Sequence, residues 1–144
     1  MAVLTGSATI RFGVADTSDD LELSTYGDGH EQGGVEVQAN AGDVFLIPAG
    51  VSHKTHDTSP AADFVLLTPG DGHHIAAPDG DVRKALEQTR LSGFTMVGAY
   101  PSGSVWDSCV GGEHAKDVET VHKVPKPERD PVLGLAKEGL CGLW

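Results

Sequence analysis

The alternation of apolar and polar positions is clearest at Ser7, Ala8, Thr9, Ile10, Arg11 and Phe12, which predicts a half-buried strand with Ala8, Ile10 and Phe12 on one face. Val35, Glu36, Val37 and Gln38 alternate again, and Ala41, Gly42 and Asp43 then predict a turn. Two runs are apolar throughout: Val44, Phe45, Leu46, Ile47, and Phe64, Val65, Leu66, Leu67. Stopped by Pro48 and Gly50 and by Pro69 and Gly70, they predict strands buried on both faces. Phe94 to Gly98 predicts a return strand. One helix is expected between Pro78 and Gly93. Asp79 and Asp81 stand at its start, Val82, Ala85, Leu86 and Thr89 fall at helical spacing, and Arg90 closes it.

Residues 13–34 form a long acidic loop through Asp16, Asp19, Asp20, Asp28 and Glu31, with a short strand expected at Leu21, Glu22 and Leu23. A loop of this length is an insertion or a functional element, and a solvated insertion is the plainer reading. The tail, residues 113–144, carries Lys123, Val124, Pro125, Lys126 and Pro127, an extended segment expected to pack along the domain. Five or six strands, one helix and a Pro-rich tail predict an all-β fold, a small antiparallel barrel or sandwich. With 144 residues there is room for one core. The expected division is a β domain over residues 1–112, with an insertion at 58–93 that holds the helix, and the tail over 113–144.

Charge narrows the partners. Ten Lys and Arg against 21 Asp and Glu give a formal charge of -11, which repels nucleic acid and anionic membrane surfaces. No stretch approaches the roughly 20 apolar residues of a bilayer span, and no basic segment precedes an apolar run at the N-terminus, so a cytoplasmic location is expected. Cys109 and Cys141 form no CxxC pair and have no activating basic neighbour beyond Lys137, which fits a reduced compartment and unreactive thiols. There is no Gly-rich phosphate loop, GxSxG, HExxH or dinucleotide fingerprint, so a nicotinamide site is not expected.

The most specific stretch is residues 42–53: a glycine (Gly42), five residues, Pro48, one residue, Gly50, two residues, then His53. Gly42 permits a turn into a strand, Pro48 and Gly50 turn the chain at its end, and His53 follows that turn. The pattern resembles the second motif of the cupin superfamily, in which the histidine is a metal ligand and an asparagine often follows four residues later; here that place holds Asp57. Residues 94–101, ending in Tyr100 and Pro101, with Trp106 and Asp107, resemble the return strand of one small single-domain branch. Pro127, Glu128, Asp130 and Pro131 and the terminal Leu143 and Trp144 match its tail. That branch includes cupin-domain oxidoreductases of fungal polyketide clusters that make salicylaldehyde-type products. The matching pieces lie in residues 3–14, 35–57 and 94–144.

The resemblance implies a cupin-type β-barrel, a jelly-roll-like double-stranded β-helix. It also implies an oxidoreductase acting on a small polyketide-derived aromatic or aldehyde intermediate in secondary-metabolite biosynthesis. It implies a pocket lined by His53, Tyr100 and Trp106. In this branch the closing glycine of the first motif corresponds to Gly6, so the two histidines and the glutamate of that motif would precede Met1. The barrel is therefore expected to be N-terminally truncated, with His53 as the single remaining family metal ligand. A divalent metal belongs to a form that includes the first motif, and the chain from Met1 to Trp144 is expected to hold far less than one per molecule. Replacement ligands would have to come from His56, His73, His74, His30 or Glu31, each otherwise a solvated group. The plainer reading of Tyr100 and Trp106 is core packing and a turn. The other reading of the whole is a metal-free small-molecule-binding or accessory cupin, or an inactive fragment. Unpaired strand edges of a shortened barrel predict a homodimer or aggregation.

Overall fold

Left-handed backbone at Gly6, φ 73°, separates the first two strands, β1 (Ala2–Thr5) and β2 (Ser7–Phe12). A β-carbon there would lie 2.5 Å from the Ser59 carbonyl oxygen, so the position takes only glycine. The computed structural model describes residues 1–71, 74–100, 118–126, 128–130 and 133–139. The further elements are α1 (Leu21–Tyr26), β3 (Val35–Asn40), β4 (His53–Ser59), α2 (Val82–Glu87), β5 (Thr95–Val97) and α3 (Val118–His122). The strands form two small antiparallel sheets, one of β1 and β5, the other in the order β3-β2-β4. No closed barrel is formed among the described residues. The chain is β-rich, with few and short helices.

The structure divides into two compact units: Met1–Ile10, Glu36–Phe45 and Lys54–Val97 make the first, and Arg11–Val35, Leu46–His53 and residues from Gly98 onward make the second. In the first, β1 pairs with β5 with Ala2 opposite Val97, Val3 opposite Met96 and Thr5 opposite Thr95. Val3, Ala8, Ile10, Ala39 and Phe94 are buried. β2 is a strand as expected and buries Ala8 and Ile10, but Phe12 is only half-buried and Thr9 and Arg11 on the other face are buried too, so the strand is covered on both sides rather than half-buried. The turn at residues 41–43 is also as expected: Gly42 has φ 100°, the Asn40 amide donates to Asp43 Oδ2 at 2.7 Å, and the Val3 amide donates to the Asp43 carbonyl. Asp81 caps α2 by accepting from the Lys84 amide at 3.0 Å, so the helix starts where expected, but it ends at Glu87, short of Thr89 and Arg90, and buries none of its residues.

In the second unit the acidic segment is folded. Asp20 caps α1 by accepting from the Leu23 amide, an isolated bridge joins Asp16 to His30, and the Thr17 amide donates to the Gly29 carbonyl. This corrects the strand expected at residues 21–23. An aspartate three residues before Leu23 favours a helical turn, and Leu21 and Leu23, whose alternation suggested a strand, are both exposed. The tail is likewise not wholly extended, since it carries α3. Three short helices occur among the described residues, against one expected.

The two apolar runs are the larger correction. Residues 44–47 form no named strand; they contribute an isolated bridge, Ala2 to Val44, extended by the Phe45 amide donating to the Met1 carbonyl. Residues 64–67 belong to no strand, and Phe64 is 99% exposed. A hydrophobic run records a preference for leaving water, but a strand also needs a hydrogen-bonding neighbour. Residues 64–67 meet none among the described residues.

Candidate functional site

The turn that delivers His53 belongs to the second unit. The Val51 amide donates to the Pro48 carbonyl at 3.2 Å, and Gly50 is left-handed at φ 80°. Two bonds then fix Ser52: its hydroxyl donates to the Val14 carbonyl at 2.7 Å, and its carbonyl accepts from the Gly13 amide at 2.9 Å. With residue 52 held from both sides, His53 enters β4 with its ring centroid 6.3 Å from that of Phe12, the planes inclined by 32°. His53 is exposed as a residue, yet partial burial of the ring lowers its pKa below the ordinary histidine value, because desolvation penalises the imidazolium. The turn chemistry read from the sequence is present at both Gly42 and Gly50. Gly50 also abuts α3: a β-carbon there would sit 2.9 Å from both γ-methyls of Val121.

The other pocket candidates fare differently. Tyr100 is half exposed, and its ring lies over Gly98, where a β-carbon would meet Tyr100 Cε2 at 2.9 Å. Trp106 lies outside the described residues, as do His73, Cys109, Cys141 and Trp144. Two of the candidate replacement ligands, His74 and Glu31, are engaged locally. His74 Nδ1 is 2.9 Å from Asp71 Oδ1, and Glu31 Oε2 accepts from the Ala15 amide at 3.0 Å. His30 Nδ1 is buried with no hydrogen-bond partner among the described residues. No group of three or more His, Cys, Asp or Glu suited to a metal ion occurs among the described residues. Among the described residues, the donor set around His53 therefore does not fit the metal that the family resemblance implies.

The first unit holds a polar cluster that sequence patterning does not assemble. His56, with a side chain only 9% exposed, places Nδ1 3.0 Å from Asp57 Oδ2 and Nε2 3.5 Å from Glu36 Oε1. Asp57 has left-handed backbone, φ 52°, a conformation that aspartate tolerates better than most residues. The two carboxylates approach different nitrogens of one imidazole, and the hydrogen-bond distance is on the Asp57 side. The signal for Glu36 was its outward place in the alternation of β3. Its partner depends on the strand order β3-β2-β4, which the sequence does not announce.

No family model matches the chain. No solved structure matches it. Over 113 residues, 77% of its length, the chain is 26% identical to the uncharacterized protein YjlB of Bacillus subtilis (strain 168), of which this covers 48%. The chain spans about half the length of that curated relative. No described helix is long and apolar enough to cross a membrane. A β-rich chain with the glycine, proline and histidine spacing of residues 42–53 is compatible with a cupin.

Proposed function

We propose that the chain is a cupin-type protein, a cupin-domain oxidoreductase acting on a small polyketide-derived aromatic or aldehyde intermediate of secondary metabolism. The observation that carries this reading is the turn at residues 48–53, which presents a partly desolvated imidazole beside the Phe12 ring. Such a pair suits a small aromatic ligand, with the ring of Phe12 supplying apolar contact and His53 a hydrogen bond to an oxygen substituent. Deleting the gene and comparing metabolite profiles tests it. The reading expects an aromatic aldehyde or its precursor to accumulate, and an unchanged profile contradicts it.

A second reading is a metal-free small-molecule-binding or accessory cupin, with the pocket lined by His53, Tyr100 and Trp106. It is favoured by the absence of companion donors for His53 among the described residues. Saturable binding of the accumulated aromatic without turnover distinguishes it. For either reading we place the protein in the cytoplasm and assign it a homodimeric state, to which exposed apolar residues such as Val44 and Leu46 give a motive. Light scattering across a concentration series checks the dimer.

A further inference from the structure

A cleft of about 650 Å³ opens in the first unit, in the region between the apolar run and β5 that resembles the cupins least. Its apolar lining includes Leu67, Pro69, Ala77 and Ala85. Three charged groups line it as well: Asp79, Lys84 and Arg90. Lys84 Nζ is committed to Asp79 Oδ2 at 2.8 Å, whereas the Arg90 guanidinium has no carboxylate partner among the described residues. The Thr89 hydroxyl, also at the cleft, is spent on the Ala85 carbonyl at 3.1 Å. Two cations and one acid leave this cleft with one positive charge, in a chain whose formal charge is -11.

We propose that this cleft is a binding site for a small organic monoanion, a carboxylate on a compact apolar body, held by Arg90. The volume falls within the roughly 300–1,000 Å³ of small-molecule sites. A guanidinium presents paired N–H donors that match the two oxygens of a carboxylate, so a planar monoanion satisfies it better than a point charge does. The acidic surroundings and Asp79 disfavour a phosphate dianion, and the alanine and proline walls disfavour a purely polar acid. The site shares no residue with the turn that carries His53 and does not depend on the function proposed above.

The test is titration of the whole chain with 2-naphthoate, followed by amide proton–nitrogen correlation spectra. Two comparison ligands, 2-naphthamide and acetate, lack the charge and the apolar body respectively. We expect saturable shifts confined to residues 67–69, 76–79 and 84–90, with both comparison ligands at least about tenfold weaker. Arg90→Gln, an exposed position beyond the end of α2, should weaken 2-naphthoate by about tenfold or more. Arg83→Gln, whose native side chain pairs with Glu87 away from the cleft, should leave it unchanged, as should His53→Ala. Failure of 2-naphthoate to saturate, equal binding of 2-naphthamide, or retention of affinity in Arg90→Gln would each overturn the proposal.

Discussion

The guanidinium of Arg11 donates to the carbonyl oxygen of Thr25 at 2.6 Å, and through its other terminal nitrogen to that of Ser24 at 3.0 Å. These carbonyls belong to the last turn of α1, which has no basic residue of its own. The last carbonyls of a helix lack intrahelical partners, and a cation there also meets the negative end of the dipole. Arg11 on β2 thus caps a helix that begins ten residues later, and it is itself buried. We expect Arg11→Met to cost about 2–3 kcal/mol by urea denaturation, because both carbonyls lose a charged donor in a buried place. Arg11→Lys should recover only part of this, since an ammonium does not reproduce the fork. A cost for Arg11→Met within about 0.5 kcal/mol of zero would contradict the capping role.

Much of the chain was legible in this way and some was not. The strand at β2, the turn at residues 41–43, the capped helix α2 and the return strand β5 follow from period and punctuation alone. Arg11 escaped because alternation puts it on the polar side of β2, where solvent is the default partner; its acceptors lie 13 and 14 residues away. His56 and Asp57 were visible as residues, but Glu36 joins them only through sheet order. Residues 44–47 and 64–67 misled because hydrophobicity was read as pairing. At the candidate site, the turn around Gly50 was legible and the Phe12 neighbour of His53 was not.

Phe64 offers a direct check on that correction. It is almost fully exposed, so Phe64→Ser should change stability by no more than about 0.5 kcal/mol. Ile10→Ala, at a position with no exposed surface, should cost about 2–5 kcal/mol. A loss at Phe64 comparable to that at Ile10 would return residues 64–67 to a buried core.

Gly50 carries two constraints, left-handed backbone and a close neighbour, whereas Gly80 carries only the first. Gly80, at φ 73°, has open space around its missing β-carbon, so Gly80→Ala should cost only the conformational penalty, about 1–2 kcal/mol. Gly50→Ala adds the clash with Val121 and should cost more. The excess, and only the excess, should fall when Val121→Ala is combined with it, which a double-mutant cycle reads out. Equal costs in both Val121 backgrounds would mean that α3 does not rest on this turn.

His53 gives the pH dependence a sign. Its folded-state pKa lies below the ordinary histidine value of about 6.5, so on acidification the unfolded chain takes up the proton first. The contribution to stability is intact above about pH 6.5, declines as pH falls from there to the folded-state pKa, and levels off below it. His53→Asn should flatten this part of the stability profile, measured by denaturant midpoints from pH 8 to pH 5. An unchanged slope would mean that the ring is as well solvated in the fold as in the unfolded chain.

The most direct measurement is the metal content of the purified chain of residues 1–144 after dialysis against a weak chelator. A catalytic site normally needs three protein ligands, and His53 is the one that the cupin-like motif supplies. We expect far less than one equivalent of iron, manganese, nickel or zinc per chain, with no difference between the native protein and His53→Ala. One equivalent of any of these that disappears in His53→Ala would contradict the reading of His53 as a pocket residue without a ligand set.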